Sequence, residues 1–320
     1  MSAIIQGKIV DTYASLNSRG GTEQMRDRLM RYVDPSSLEK VVIHFSRFRK
    51  ENYVDGIPNI FYCHDLIGDP ENKVLGGEGY KQFAKIVFVS HWQRDQFMLA
   101  YKIPYSHCTV IENAIELEYV HKNKDTRNIN FIYHTTPHRG LELLVPMFTA
   151  LAKEFSNIHL DVFSSFSLYG WGERDKKYEN LFEEIKQHPN MTYHGAKSNQ
   201  EVLNALEKSH IFLYPCIWPE TSCIAMIEAI RSGCLVIHPS LAALPETSSE
   251  ATMMYDYTEN KQEHAKRAYR YTRTVLNAER NGMNFLNNYT ADVRFELPKN
   301  SVSSFEVKWK NLLDEILKTS

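Results

Sequence analysis

The sequence lacks an excess of charge of either sign. Its 320 residues include 37 lysines and arginines against 39 aspartates and glutamates, which gives a formal net charge of −2. A protein that binds nucleic acid through its phosphates usually has a clear basic excess. We therefore expect no nucleic-acid partner.

Cysteine is also scarce, and its spacing is irregular. The five cysteines include no C-x-x-C pair: Cys63, Cys108, Cys216, Cys223 and Cys234. A disulfide framework or a structural zinc site requires paired, regularly spaced cysteines. The pattern indicates free thiols in a reducing compartment and predicts no metal site.

Long apolar runs are missing as well. No window of 18 residues is uninterruptedly apolar, and the N-terminal stretch has no apolar core of a signal peptide. The composition, 43% hydrophobic and 24% charged, is that of a globular protein long enough for two domains. We expect a cytoplasmic location.

What the sequence does contain is a regular alternation of short β-branched runs with helical stretches. Strands are predicted at 40–45, 59–63, 85–90, 108–111, 129–134, 158–163, 191–195, 210–215 and 234–238. Helices are predicted at 91–102, 140–155, 177–187, 199–209 and 221–233. A weak first strand is expected in "GKIVDTY" (7–13). Such alternation indicates parallel sheets covered by helices on both faces.

Two such blocks follow one another, separated by a polar stretch without clear periodicity at 112–128. We expect two doubly wound, Rossmann-like α/β domains that face each other across a cleft. The predicted bounds are 1–122 and 123–300, with an amphipathic helix at 303–318 joining the first domain. In open parallel sheets, ligands bind at the carboxyl ends of the strands.

The most informative stretch is "PETSCIAMIEAIRSGCLVIHPS" (219–240). It places Glu220 in a loop after a strand and Glu228 in an otherwise apolar helix, eight positions later. A buried carboxylate is costly unless a partner or ligand satisfies it. A helical repeat would put both carboxylates on one face. The amides of Ser222, Cys223 and Ile224 would lie at the helix N-terminus, so this stretch suits a polyhydroxylated ligand with an anionic end. An amphipathic helix with solvated acids is the alternative.

Three other strand ends contain polar or glycine residues. Gly20 and Gly21 in "RGGTEQ" (19–24) open a helix, as Arg139 does before Gly140 in "HTTPHRGLELL". Glycines allow close backbone approach, and an arginine at a helix start suits a phosphate. His64 ends a strand in "YCHDL". Taken singly, each is more often a turn, a solvated cation or a structural histidine.

Together, these motifs resemble those of the retaining glycosyltransferases of family 4, which have the GT-B architecture. The resemblance spans most of the chain and is densest at 190–246, which contains a glycine loop, a helix, a strand ending in proline, E-x7-E and L-P-E. The segments "SRGGTEQ", "HDL", "VSHWQRDQF" and "IENAIE" are similar to further motifs of that family.

The resemblance implies roles in binding a nucleotide-diphosphate sugar. Glu228 would bind the ribose hydroxyls, and Arg139 would bind the diphosphate in place of the family's lysine. Gly20 and Gly21 would pass close to the same diphosphate. His134 lies near the position of an arginine that the family uses as a second diphosphate cation.

The resemblance also implies two catalytic residues, Glu220 and His64, both at the donor sugar near its reacting carbon. Asn113 would lie at a hinge near the cleft, although Ala114 and Glu116 replace the glycine and aspartate of the family linker.

The function predicted in this way is retaining glycosyl transfer from a UDP- or GDP-sugar to a hydroxyl of a glycan, glycolipid or small molecule. No D-x-D motif occurs, so we expect no essential metal and no other cofactor. Two alternatives stay open: a non-catalytic sugar-nucleotide-binding subunit, and an epimerase or phosphorylase on the same frame. A basic helix at 260–280 suggests peripheral contact with an anionic membrane, or a solvated helix packed along its domain.

Overall fold

The computed structural model describes residues 2–11, 20–116, 123–248, 252–292 and 298–319. Within these residues the strands are β1 (Ser2–Ile5), β2 (Lys8–Asp11), β3 (Val42–Phe45), β4 (Asn59–Cys63), β5 (Lys85–Phe88), β6 (Cys108–Val110), β7 (Ile129–Tyr133), β8 (Ile158–Val162), β9 (Met191–Tyr193), β10 (Ile211–Leu213), β11 (Leu235–Pro239) and β12 (Met253–Tyr255). The α-helices are α1 (Gly21–Tyr32), α2 (Pro35–Leu38), α3 (His91–Tyr101), α4 (Leu141–Glu154), α5 (Glu179–Gln187), α6 (Asn199–Leu206), α7 (Ile224–Arg231), α8 (Leu244–Ser248), α9 (Lys261–Arg280), α10 (Phe285–Asp292) and α11 (Val302–Thr319).

The chain folds into two compact units. The first unit comprises Met1–Glu116, Glu220–Ser222 and Pro298–Ser320, and the second comprises Leu117–Pro219 and Cys223–Leu297. Part of the stretch at 112–128 lies outside the described residues.

The first unit contains a six-stranded sheet in the order β2-β1-β3-β4-β5-β6. Strands β3 to β6 are parallel to one another. All five residues of β4 are buried. A strand covered on both faces consists of a continuous apolar run, which is why "NIFYC" is readily predicted as a central strand.

The edge of this sheet differs from the sequence prediction. β1 pairs antiparallel with both β2 and β3, so the sheet is mixed. Gln6 and Gly7 join β1 to β2 with φ values of 47° and 74°. Consecutive positive φ values match the twist of a two-residue hairpin. The predicted strand 7–13 is therefore the second half of a hairpin, and its last residues lie outside the described part of the chain.

The C-terminal helix α11 packs within the first unit, where it contacts α1. Its apolar stripe includes Phe305, Trp309 and Leu313, each at most 1% exposed. The Trp309 ring lies edge-on to Tyr62 of β4, with 5.1 Å between ring centroids. This C-terminal helix thus packs against the sheet of the first unit, which is built from N-terminal strands.

The second unit contains a parallel sheet in the order β12-β11-β10-β7-β8-β9. This is the order of a Rossmann fold, in which the chain moves outward from the first strand, returns, and continues on the other side. The switch point lies between β7 and β10, which pair in parallel register. Loops that follow these two strands therefore border a crevice at the carboxyl edge of the sheet.

Lys124 connects two helices of the second unit through their carboxyl ends. Its Nζ donates to the carbonyls of Leu206 (3.4 Å), Ser232 (2.9 Å) and Gly233 (3.3 Å), and also to that of Ser209. These carbonyls lie at or just beyond the ends of α6 and α7, where backbone acceptors lack helical partners and the helix dipole favours a cation. One ammonium group therefore caps both helices.

The basic helix α9 packs in the second unit, and several of its cations form ion pairs. Lys261 pairs with Glu142 at 2.5 Å, and Arg273 pairs with Glu154 at 2.7 Å, both acids on α4. Part of the charge predicted for this helix is therefore neutralised within the unit. None of the described helices combines the length and the apolar character that a membrane span requires.

Candidate active site

In the first unit, His64 lies at the carboxyl edge of the sheet, directly after β4. Its backbone N–H donates to Ser46 Oγ at 2.8 Å, and its carbonyl accepts from Thr221 Oγ1 at 2.9 Å. Ser46 follows the neighbouring strand β3 and has a φ of 55°, an uncommon conformation for serine. These hydrogen bonds fix the backbone of His64 and bring the segment of Glu220 to it. The structure thus places the two predicted catalytic residues in one unit.

The His64 ring is held in a nonpolar environment. It lies 4.2 Å from the Tyr62 ring and is stacked on Phe45 at 6.3 Å, measured between centroids. Nδ1 and Nε2 are both buried and have no hydrogen-bond partner. Burial lowers the pKa of His64 to about 3, and the Tyr62 backbone carbonyl offsets this effect only in part. The ring is therefore neutral at physiological pH and has one N–H donor and one acceptor.

Glu220 and Ser222 flank Thr221 in the short segment that belongs to the first unit. Glu220 is 8% exposed. The carbonyl of Ser222 accepts a hydrogen bond from Asn113 Nδ2 at 3.5 Å, and the carbonyl of Asn113 accepts one from Asn300 Nδ2 at 2.7 Å. Asn113, predicted to lie at a hinge, is thus fixed to backbone on both sides within the first unit.

The glycine pair lies at the start of α1. Gly20 is buried and extended, with φ −73° and ψ 179°, and α1 begins at Gly21. The N-cap Gly20 has no side chain to bind the first amides of this helix, an arrangement that suits an anion there. The residue before Gly20 in "RGGTEQ" lies outside the described part of the chain.

The geometry predicted for the E-x7-E segment is wrong in two respects. α7 begins at Ile224 with Cys223 as its N-cap, so Ser222 contributes no helix-start amide. Glu220 lies four residues before the helix, so the helical repeat that placed it on one face with Glu228 does not apply.

In the second unit, Glu228 is a buried carboxylate within α7 and is 5% exposed. Asn199 Nδ2, in the first turn of α6, donates to its Oε1 at 3.3 Å. His134 Nε2 lies 4.0 Å from its Oε2. The deeper acid of the motif thus accepts a hydrogen bond from Asn199 and lies near His134 next to the switch point, in a place suited to accept ligand hydroxyls.

His134 follows β7, and its ring contacts α7 rather than solvent. Its Nε2 donates to the Ala225 carbonyl at 3.1 Å, and burial lowers its pKa to about 4. The side chain is 3% exposed. A neutral histidine adds no positive charge for a diphosphate. The contacts of His134 instead suit a role in positioning α7 and, with it, Glu228.

Arg139 and Gly140 form the loop between β7 and α4. Arg139 Nη1 donates to Thr136 Oγ1 at 2.9 Å. Gly140 has φ 121°, and a Cβ built on it would lie 2.2 Å from the carbonyl oxygen of Pro215. The loops after β7 and β10 therefore approach each other at a point where only glycine fits. This contact fixes Arg139 beside the N-terminus of α4.

An aromatic cluster that the sequence did not predict lies beside this loop. The His138 ring is stacked on Phe166 at 5.2 Å and lies edge-on to Trp218 at 4.7 Å. Burial, with the nearby cation of Arg139, lowers the pKa of His138 to about 4. Trp218 is 41% exposed, unusually high for a large ring. The sequence does contain a signal for this cluster, because His138, Phe166 and Trp218 each lie in a loop that follows a predicted strand.

Among the described residues, no group of three or more histidine, cysteine, aspartate or glutamate side chains is arranged to hold a metal ion. The five cysteines are buried free thiols.

Comparison with known proteins gives three consistent findings. Residues 115–267 match the family model described as "Glycosyl transferases group 1". The chain is similar to a phosphatidylinositol N-acetylglucosaminyltransferase subunit of Homo sapiens (23% identity over 205 residues, 61% of this chain and 41% of the relative). The corresponding subunit of Arabidopsis thaliana is 24% identical over 207 residues, 60% of this chain and 43% of the relative. The chain thus spans less than half the length of these curated relatives.

Solved structures extend the similarity to the whole fold. A glycosyltransferase from Rickettsia africae superposes with a TM-score of 0.68 at 16% identity, covering 97% of this chain and 85% of that chain. A TarM variant from S. aureus, in complex with UDP and alpha-GlcNAc-glycerol, gives 0.61 at 15% identity, covering 81% and 51%. Anabaena HepE in complex with UDP-glucose gives 0.58 at 12% identity, covering 82% and 73%. Residues 115–267 are therefore similar to the glycosyltransferase group 1 family, and the chain has the two parallel-sheet α/β domains of the GT-B fold.

Proposed function

We propose that this protein is a retaining glycosyltransferase that moves a sugar from a UDP-sugar to a hydroxyl group of an acceptor. The second unit binds the nucleotide and the first unit contributes the acceptor side. The observation that carries the proposal is the hydrogen bond from Thr221 to the His64 carbonyl, which ties the Glu220 segment to the strand end of His64. Two segments distant in sequence are thereby held at one strand end, which supports the proposal.

The nucleotide part of the proposal rests on Glu228 and Arg139. Glu228 is buried next to the switch point, where its carboxylate accepts the two ribose hydroxyls. Arg139 lies at the N-terminus of α4 and binds the diphosphate, aided by the backbone amides at the starts of α4 and α7. These groups stabilise the charge that develops as the diphosphate leaves.

We propose UDP-N-acetylglucosamine as the first donor to test. Support comes from the names of the two curated relatives, and from the solved TarM complex with UDP and alpha-GlcNAc-glycerol. The acceptor class is a polyol, either free or as a lipid headgroup.

At the reacting carbon, the proposal assigns Glu220 to the sugar hydroxyls and neutral His64 to a hydrogen bond that strengthens as the ring gains positive charge. The acceptor hydroxyl attacks from the face that the diphosphate leaves, and a phosphate oxygen takes its proton. The donor's anomeric configuration is retained, and no metal takes part.

The test is a thermal-shift screen with UDP- and GDP-sugars, followed by product analysis with glycerol, myo-inositol and octyl glucoside as acceptors. A ligand at a hundred times its Kd adds about 2.7 kcal/mol to stability, which is readily detected. We expect stabilisation by a UDP-sugar, a product with the donor's anomeric configuration by NMR, and turnover that survives EDTA.

Single-residue variants then test which side chains take part in the reaction. Glu220→Ala and His64→Ala should each lower kcat strongly while leaving the Kd for UDP nearly unchanged. Glu207→Ala, an exposed residue at the end of α6, is the matched control. An inverted product would contradict the retaining mechanism. Tight binding of a UDP-sugar with neither transfer nor hydrolysis would identify a non-catalytic subunit, and conversion of the free donor into another nucleotide sugar would identify an epimerase.

A further inference from the structure

The backbone carbonyl of Asp65, next to His64, accepts two hydrogen bonds. They come from Gln93 Nε2 at 2.8 Å and from Cys63 Sγ at 3.7 Å. Gln93 is 1% exposed, and its Oε1 accepts the N–H of Val89 at 2.9 Å. The position of Asp65 is therefore set by the core of the first unit, as is typical of residues that must present a side chain accurately.

The Asp65 carboxylate itself is poorly satisfied. Its Oδ2 is buried and has no hydrogen-bond partner, and the nearest cation is Arg47, whose Nε lies 3.8 Å away. About a quarter of each side chain is exposed, 25% for Arg47 and 26% for Asp65. The other charged groups nearby are Asp69 and Glu71. Burial is the main reason that the pKa of Asp65 is raised to about 6; both acids add to the effect, while Arg47 and the Ser46 hydroxyl oppose it.

A neighbouring ion pair shows what a structural pair looks like in this unit. Arg49 binds Glu71 through two nitrogens, at 2.6 and 3.3 Å, and this arrangement lowers the pKa of Glu71. Asp65 has a similar cation nearby but lacks such a two-pronged contact with it. A buried carboxylate oxygen without a donor costs free energy, and folds tolerate that cost mainly at functional sites.

We infer that Asp65 binds a hydroxyl group of the polyol acceptor. An acceptor O–H can reach the exposed quarter of the Asp65 side chain and donate to its carboxylate, which the ion pair with Arg47 does not fully satisfy. Arg47 keeps the carboxylate ionised and oriented. Because Asp65 directly follows His64 in the chain, the inference places the acceptor hydroxyl at the same strand end as the proposed catalytic histidine. This inference rests on the proposed transferase function.

The test compares Asp65→Asn with Asp95→Asn, which removes an exposed acid of α3 in the same unit. Transfer from UDP-N-acetylglucosamine is measured against glycerol, myo-inositol and octyl glucoside, with UDP binding measured by calorimetry. Asp65→Asn should raise the acceptor KM at least tenfold and change the Kd for UDP by less than twofold. Its thermal unfolding should match or exceed that of the wild type, because a costly buried charge is removed.

The pH profile gives a second readout. Acceptor kcat/KM of the wild type should fall as the pH drops below about 6, where the Asp65 carboxylate becomes protonated. This acidic limb should be absent in Asp65→Asn. Arg47→Gln, which removes the cation that favours the ionised form, should move the limb to higher pH and keeps the inference testable if Asp65→Asn does not fold.

Each outcome has a separate meaning. Wild-type acceptor KM and pH profile in Asp65→Asn would overturn this inference while leaving the transferase function intact. A parallel rise in the Kd for UDP would assign Asp65 to the donor instead, and an effect of equal size in Asp95→Asn would reduce it to a general charge effect. Absence of transfer by the wild type would overturn the proposed function itself, and this inference with it.

Discussion

Replacement of Gly140 by alanine tests whether the approach of two loops at the switch point holds the nucleotide site together. The residue has φ 121°, and the added Cβ would lie 2.2 Å from the Pro215 carbonyl oxygen and 2.9 Å from its carbon. Both atoms belong to backbone, so no side-chain rotation can relieve the contact. The left-handed conformation costs about 1–2 kcal/mol, and forced repacking of a tight contact costs about 1–3 kcal/mol. We expect a loss of about 2–5 kcal/mol in the free energy of unfolding.

The control is Gly282→Ala in the same unit. Gly282 also has a positive φ, 74°, but nothing lies within 4 Å of the position that its Cβ would take. It should therefore show only the conformational cost of about 1–2 kcal/mol. Urea unfolding measures both variants, and calorimetry measures UDP binding, which Gly140→Ala should weaken by displacing Arg139. Equal destabilisation of the two variants, with UDP affinity preserved, would refute the reasoning.

Three further predictions concern the second unit. Glu228→Ala should raise the Kd for UDP roughly ten- to a hundredfold while the fold survives, since charge-assisted hydrogen bonds contribute about 1.5–3 kcal/mol. Unchanged affinity by calorimetry would show that the role of Glu228 is structural. Arg139→Ala should weaken binding of UDP but barely affect uridine, and an equal loss for both ligands would show that Arg139 does not bind phosphate. Burial lowers the pKa of His134 and His238 to about 4, whereas an unfolded histidine titrates near 6.5, so the unfolded state takes up more protons between these values. Stability measured by urea unfolding should therefore fall as the pH drops from about 6.5 towards 4, and a flat profile would contradict the buried neutral state of these histidines.

The sequence predicted most of the sheet because buried parallel strands leave a strong local pattern. β4 was predicted with its observed bounds, and α9 and α11 were predicted to within one or two residues. β1 and the short strand β12 were missed, and β2 was predicted only as a weak strand at 7–13. β2 and β12 lie at the edges of their sheets, where strands are only partly buried and their apolar signal is weak.

The sequence proposes candidate site residues but not their geometry. Local pattern identified Glu220 and His64, yet only the tertiary fold brings Thr221 to the His64 carbonyl. The neutrality of His134 follows from burial against α7, which depends on contacts between distant segments. The same holds for Asp65, whose environment is built from the ends of two different strands.

The single ammonium group of Lys124 has a practical consequence for dissecting the protein. A fragment of the second unit that starts only a few residues later in the sequence would leave the carboxyl ends of both α6 and α7 without their shared cation. The two helices should then fray together, visible as a joint loss of amide hydrogen-exchange protection in their last turns. Acetylation of this lysine should have the same effect in the intact chain, because the modified nitrogen carries no charge and only one hydrogen. A truncation for expression should therefore begin at or before Asn123.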